Sequence, residues 1–302
     1  MHPMPAVWND SSHGIAWRLE LEREMLLPGS LVGGKVSATA DDGIDGRGLI
    51  LALIAREHWK HQVTTTDAHG HTSTRVVEER SELVREPVAV EDELHLGPGE
   101  TRSWDFQLPV PPLGPASLDA DVAGLDWTVE ARIDRPGGMD PVIERPVRVV
   151  QPVALLRSGA VPLEQFALFD SADVVADDVT GSIVVSPVPL CSGAPFTAKV
   201  VLHAGAARSL QEIRAELRVH VAATVASGLD EDVVAWEGRL AATELSGDRT
   251  IDLAGTLDPR ALPSIELPHG RSAATFHVIL AIAWNPDLHL VRDVAIATTL
   301  DL

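Results

Sequence analysis

The chain contains a single cysteine, Cys191, and no tyrosine among its 302 residues. One cysteine excludes an intrachain disulfide, and secreted sandwich proteins of this size often carry disulfides, so we predict a cytoplasmic location. The N-terminal residues show no basic region followed by an apolar run. No stretch approaches the roughly 20 apolar residues that a transmembrane helix needs. We therefore expect neither a signal peptide nor an integral membrane segment.

Aromatic side chains are also scarce, at 4% of the residues, whereas hydrophobic residues as a whole make up 45%. Val, Ile, Leu and Ala must therefore fill most of the core, in one large domain or two of ordinary size. Basic residues are outnumbered by acidic ones, 24 to 44, which gives a formal net charge of −20. An acidic surface repels phosphates and anionic lipids, and this excludes nucleic acid as an expected partner.

Catalytic motifs are absent as well. The sequence has no Gly-x-Ser-x-Gly, His-Glu-x-x-His or phosphate-binding glycine loop. Cys191 lies in the turn sequence PLCSGAP, which offers no nearby general base. We therefore predict that the protein is not an enzyme and that it uses no cofactor.

What the sequence does contain is a two-residue periodicity, which is clearest between Trp104 and Val150. Two runs of alternating apolar residues flank a proline-rich crossover, and each run has a polar opposite face. The apolar residues are Trp104, Phe106 and Leu108 in the first run and Trp127, Val129, Ala131 and Ile133 in the second. This pattern predicts β-strands that are buried on one side.

The strand patterns fall into two similar halves. Gly29 precedes Lys35 by six residues and Gly193 precedes Lys199 by six, and each half contains a long proline-rich crossover between strands. We predict an all-β protein of two tandem immunoglobulin-like β-sandwiches. The predicted parts are a flexible N-terminus at 1–15, a sandwich at 16–152, a linker at 153–180 and a second sandwich at 181–302. Leu163 to Phe169 form either a short helix or part of an ordered linker.

One segment is apolar on both faces, Leu49 to Ala55, which is typical of a strand that is central or covered by a second surface. A buried helix is the competing interpretation. The segment leads into the polar run HQVTTTDAHGHTST, which we predict to be the tip of a hairpin. Arg75 to Val90 then return as one or two charged strands.

Several short motifs resemble the N-terminal domain of the arrestin family. They are Leu96-Gly97-Pro98-Gly99, Phe106-Gln107-Leu108-Pro109, the crossover residues Pro115 and Ser117, and Trp127-Thr128-Val129-Glu130-Ala131. Pro28-Gly29 and Gly33-Gly34-Lys35-Val36 also fit the start of that domain. The resemblance covers roughly residues 16 to 150 and extends less specifically over 180 to 299 as an arrestin C-terminal-like domain. It implies two sandwiches and a non-catalytic scaffold or adaptor that binds other proteins.

The sequence departs from visual and β-arrestins at two places. Their first strand carries a lysine pair that senses receptor phosphates, whereas the matching stretch here, GIAWRLELEREM, has Arg18 and Arg23 among acidic residues. The long helix of their N-domain has no counterpart, because Arg75 to Val90 contain Pro87 and are patterned like strands. Bacterial sporulation-control proteins and the retromer subunit of the same fold are the closer analogy.

The candidate site residues cluster around the predicted hairpin. His69 and His71 are two positions apart and can share one face of a strand, with Asp67 beside them. Imidazole and carboxylate groups are zinc ligands. Two or three such groups fall short of a convincing metal site, so we predict solvated loop residues and no metal. For partner binding the candidates are His58, Trp59, Lys60 and His61. A partly exposed tryptophan can anchor a partner, although Trp59 could equally cap a core.

We predict a cytoplasmic, bacterial scaffold or adaptor that binds other proteins through sheet edges, loops or the surface between domains. One alternative is a β-sandwich hydrolase or metal-dependent enzyme that uses the histidine-rich hairpin. A second alternative is a structural protein that self-associates as a homodimer through an edge strand. The sequence leaves the partner's identity open.

Overall fold

The computed structural model describes residues 6–150, 179–240, 243–282 and 286–298. Within these ranges every regular element is a β-strand and none is a helix, which confirms the predicted all-β fold class. The segment in which a short helix was an alternative, Leu163 to Phe169, lies outside the described residues. No helix in the described ranges is long and apolar enough to cross a membrane.

The described residues divide into two compact units. Unit 1 contains the described residues within Met1–His58, Arg80–Ser117 and Leu125–Val150. Unit 2 contains the described residues within Trp59–Glu79, Leu118–Gly124 and Gln151–Leu302. The long hairpin formed by the strands β5 (Ile44–Thr66) and β6 (Thr72–Leu96) therefore contributes its base to unit 1 and its distal part to unit 2. The predicted domain boundaries, which follow the chain in order, stay a prediction.

Unit 1 contains one purely antiparallel sheet of four strands, in the order β1-β2-β4-β7. These strands are β1 (Ala6–Ser12), β2 (Ile15–Leu21), β4 (Leu31–Ala40) and β7 (Thr101–Pro109). Trp17 lies opposite Ala38, and Val36 lies opposite Trp104. The predicted inward residues of β7 are buried, because Trp104 is 9% exposed and Leu108 is fully enclosed.

The second sheet has five strands in the order β3-β9-β8-β5-β6. Its remaining strands are β3 (Met25–Leu26), β8 (Ala123–Asp134) and β9 (Val142–Val149). The predicted inward face of β8 is buried throughout, and Trp127 donates its indole N–H to the carbonyl of Pro115 at 3.1 Å. This hydrogen bond ties the proline-rich crossover to the core, because a buried indole N–H needs an acceptor.

One part of the sequence prediction is corrected here. Ala6–Ser12 were assigned to a flexible N-terminus, but they form β1, which pairs with β2 in an antiparallel hairpin. The turn is made by His13 and Gly14, both with positive φ, as a type I′ hairpin turn requires. The run Asn9 to Ser12 is polar, so β1 lacks the alternation by which the other strands were recognised.

Unit 2 is built around one very long strand, β12 (Pro195–Ala223). The first part of β12 pairs with β10 and β14, and the second part pairs with β13 and β16. The other strands of the unit are β10 (Val179–Ser186), β11 (Leu190–Cys191), β13 (Asp230–Leu240), β14 (Thr243–Thr256), β15 (Ile265–Glu266), β16 (Gly270–Ile282), β17 (Leu288–Val294) and β18 (Ile296–Ala297).

The core of unit 2 contains a cluster of three aromatic rings. Phe196 meets Trp236 edge-on at 5.1 Å between ring centroids, and Trp236 stacks on Phe276 at 5.9 Å. Gly255 lies directly beneath the indole, where a Cβ would collide with the ring of Trp236. A chain with few aromatic residues thus concentrates three of them at one point, where they bury a large apolar area.

Candidate functional site

The hairpin of β5 and β6 is the most prominent candidate. β5 has 23 residues and lies between β8 and β6, whereas β6 has 25 residues and forms the edge of the sheet. The segment Leu49 to Ala55 is buried on both faces as predicted, apart from Ile50, which is half-buried. It is a strand, so the interpretation as a buried helix was wrong.

The base of the hairpin, in unit 1, carries a network of charged side chains that spans four strands. Arg56 of β5 donates two hydrogen bonds to Glu144 of β9, at 3.0 and 2.9 Å. Arg85 of β6 donates two to Glu82, both at 2.8 Å, and one to Glu130 of β8 at 2.9 Å. The Glu130 side chain is only 8% exposed, so its charge depends on these arginines for compensation.

The network also shifts the pKa values of its members. Hydrogen bonds from Arg85 lower the pKa of the Glu82 carboxyl, and those from Arg56 lower the pKa of Glu144. The same contacts raise the pKa of both guanidinium groups. The four groups are therefore held in their charged forms, which is the pattern of a structural ion network and gives no group poised for proton transfer near pH 7.

The four residues predicted to bind a partner follow directly along β5. His58 lies in unit 1, with Nδ1 at 3.3 Å from the carboxylate of Asp126. In unit 2, Trp59 is 6% exposed and stacks on His269 at 4.1 Å between ring centroids. This burial favours the interpretation of Trp59 as a core cap.

The other two candidates also make contacts within unit 2. The Lys60 ammonium group lies 2.6 Å from Asp121, and His61 Nε2 lies 3.2 Å from Glu79. The backbone N–H of Lys60 donates to the carbonyl of Val122 at 2.8 Å. These contacts engage Lys60 and His61 within unit 2, and a role of the four residues in partner binding stays a prediction.

Residues that sequence reasoning missed hold this part of β5 in unit 2. Gln62 donates its backbone N–H to Ser227 at 2.9 Å, and His61 forms an isolated antiparallel bridge with Gly228. Glu231 accepts a hydrogen bond from the backbone of Asp121 at 2.8 Å. Their partners are more than 100 positions away in the chain, so no local pattern could have revealed them.

The tip of the hairpin is a tight turn organised by Asp67. Its carboxylate accepts hydrogen bonds from the backbone N–H groups of His69 at 2.8 Å and His71 at 2.9 Å. These hydrogen bonds lower the pKa of the Asp67 carboxyl, and the backbone hydrogen bond from His71 has the largest effect. Three pairs of hydroxyl groups then face each other across the strands, Thr64 with Thr74, Thr65 with Ser73 and Thr66 with Thr72.

The predicted weak metal candidates all lie in this turn. His71 Nδ1 is 3.1 Å from the Asp67 carboxylate, while the rings of His69 and His71 are 6.4 Å apart between centroids. Across the described ranges, no group of three or more His, Cys, Asp or Glu side chains is arranged to hold a metal ion. The tip residues are all exposed, so the turn presents polar side chains and backbone to solvent.

The outer edge of β6 is the longest strand edge without a ladder partner in the part of the chain that the structure describes. Val76 is 54% exposed, and the strand carries charges of both signs along its length. Pro87, which has no backbone N–H, and Glu93, whose φ is +57°, interrupt the regular edge further along. The stretch from Thr72 to Glu86 can therefore donate and accept main-chain hydrogen bonds without interruption by proline.

The two sheets of unit 1 are those of a β-sandwich. Residues 17–156 match the family model described as Arrestin (or S-antigen), N-terminal domain. The chain thus has an arrestin-like fold, as its motifs predicted. No curated protein matches the chain.

Proposed function

We propose that this protein is a non-catalytic, cytoplasmic adaptor of arrestin-like type that binds other proteins. The observation that carries the proposal is the outer edge of β6 between Thr72 and Glu86, the last strand of its sheet, on an arrestin-like fold. An incoming extended segment would add to this edge as a further strand, with main-chain hydrogen bonds supplying affinity. The bacterial sporulation-control and retromer-subunit branches remain the analogy that we favour.

Specificity would come from the side chains that border the edge. Arg75 and Glu78 are exposed on β6, and the tip beside them presents Asp67 and His71. Alternating charges of both signs reward a partner with the complementary sequence and repel others, because a mispaired charge in such an interface is costly. His58, Trp59, Lys60 and His61 would then act by holding the hairpin in place, and the partner would touch residues nearer the tip.

A photo-crosslinking amino acid placed at single positions in cells of the source organism tests this proposal. Position 76 lies on the proposed edge, and position 113 is the matched control, since Leu113 is 67% exposed and lies in a loop of unit 1. We expect a discrete protein adduct at position 76 that is absent at position 113. Identical adducts at both positions, or none at position 76, would contradict the proposal.

A further inference from the structure

Unit 2 contains a groove of about 360 Å³ between the strands β10 and β17. Its lining is mainly aliphatic, with one basic and one acidic side chain. The lining residues are Ile183, Val184, Val185, Val188, Arg292, Asp293, Val294 and Ala295.

Both strands that border the groove are edges. β10 forms its ladder with β12, from Val179 opposite Ala204 to Ser186 opposite Thr197, and β17 forms its ladder with β16. Neither has a second ladder partner in the described part of the chain. The groove is therefore bordered by backbone N–H and C=O groups as well as by aliphatic side chains.

These backbone groups restrict what can fill the groove. An acyl chain would cover polar groups without bonding them, which costs free energy for each group left unpaired. An extended polypeptide brings its own alternating N–H and C=O groups and can satisfy the edge of β10 as a new strand does. The chemistry of the border thus favours a peptide strand over a lipid.

The lack of charge on β10 restricts the possible occupant of the groove further. β10 contains no charged residue, and it alone has none among the described strands of seven or more residues. Val184 and Val188 are each 63% exposed. Edge strands without charged residues pair readily with other strands, and the adjacent Arg292 and Asp293 contribute no net charge. The complementary occupant is uncharged, with apolar side chains at alternate positions.

We propose that the groove between β10 and β17 binds an extended, uncharged segment of a partner protein, which adds to the edge of β10. Its alternate apolar side chains pack against Val184 and Val188. This site is separate from the edge of β6 in residues and in the chemistry that it selects. A second copy of this chain fits less well, because each copy carries a net charge of −20 and like charges repel within a Debye length of about 8 Å.

The test uses the full chain and a fluorescein-labelled peptide of alternating valine and threonine, followed by fluorescence anisotropy. A second peptide has the same sequence but carries N-methyl groups on alternate amides, which removes the main-chain donors needed for strand addition. The variant Val184→Lys places a charge on the edge. Val201→Lys is the matched control, because Val201 is 39% exposed on β12, which has strands on both sides.

We expect saturable binding of the unmodified peptide, a loss of about tenfold or more in affinity for Val184→Lys and less than about twofold for Val201→Lys. The N-methylated peptide should not bind, and Val76→Lys on β6 should leave the affinity unchanged. Thermal melting of each variant confirms that it is folded.

Several results would overturn the proposal. One is the absence of saturable binding, and another is equal affinity for the N-methylated peptide. Equal losses in Val184→Lys and Val201→Lys would show that the edge has no special role. A dimer seen by light scattering, and dissolved by Val184→Lys, would assign the groove to a second copy of the chain.

Discussion

The two edge strands β6 and β10 differ in almost every respect that governs strand pairing. β6 has 25 residues with many charges, and β10 has eight residues with none. Behind β6 lies the ion network of Arg56, Arg85 and Glu130, whereas β10 is anchored by Ile183, which is 5% exposed in an apolar core. One edge is selective through charge, and the other is open to apolar strands.

We propose that the two edges select different partner strands. Charges on β6 discourage indiscriminate pairing, so a partner must match them. β10 lacks that protection and is instead short and bordered by the neighbouring strand β17, which limits access. We therefore expect the two edges to differ in their response to mutation and to pH.

The largest effect is expected from Ile183→Ala at the apolar anchor of β10. Removing most of a buried aliphatic side chain should lower the free energy of unfolding by about 2–4 kcal/mol, because transfer and cavity costs add. Urea denaturation measures the change. Val184→Ala, at the exposed neighbouring position, should change it by less than about 0.5 kcal/mol. Equal costs at both positions would mean that β10 is not anchored by its inward face.

A smaller loss is expected from Glu130→Gln at the charged anchor of β6. The substitution keeps the shape but leaves Arg85 without the opposite charge of a largely buried carboxylate, which should cost about 1–3 kcal/mol. Urea denaturation provides the measurement, and Glu86→Gln, at an exposed site on β6, is the control. A loss no larger than that of the control would show that the network contributes little to stability.

The smallest effect is the response to acid. Glu82 and Glu144 have pKa values below their ordinary value of 4.5, so the unfolded chain binds more protons than the folded chain in acid. The stabilisation is complete above that ordinary value and is lost as pH falls through the lowered pKa of the folded state. Unfolding free energies measured from pH 7 to about pH 3 should therefore decline below about pH 4.5.

Glu82→Gln supplies the control for this response. It removes one of the two carboxyls of the ion network whose pKa is lowered and should flatten the decline, whereas Ile183→Ala should shift the whole curve without changing its slope. An unchanged slope in Glu82→Gln would separate acid sensitivity from the ion network.

Sequence periodicity predicted the fold well where a strand has one buried and one exposed face. The inward residues of β7 and β8, from Trp104 to Ile133, lie in the core as their alternation predicted. Pattern failed for β1, whose polar residues carry no alternation, and it did not indicate that β12 continues through the polar residues around Arg208. Register irregularities near Ala204 and Leu210 accommodate that polar stretch within one strand.

The candidate site was only partly visible in the sequence. The polar tip and the charged return strand were predicted from composition, and the structure has a hairpin there. The contacts of Trp59 with His269 and of Lys60 with Asp121 were not predictable, because they join residues far apart in the chain. The edge of β10 was also missed, since a strand's position at an edge depends on its neighbours.

The sequence by itself determined the β-strand content, the inward faces of the strands and the presence of arrestin-like motifs. It also determined that the known catalytic motifs are absent. Each of these depends on local pattern or composition. The tertiary structure decided which strands became edges, which charges met in one network and that Trp59 was buried. Those outcomes depend on pairing between distant segments, where the free energy comes from burial and hydrogen bonds that exist only after the chain has folded.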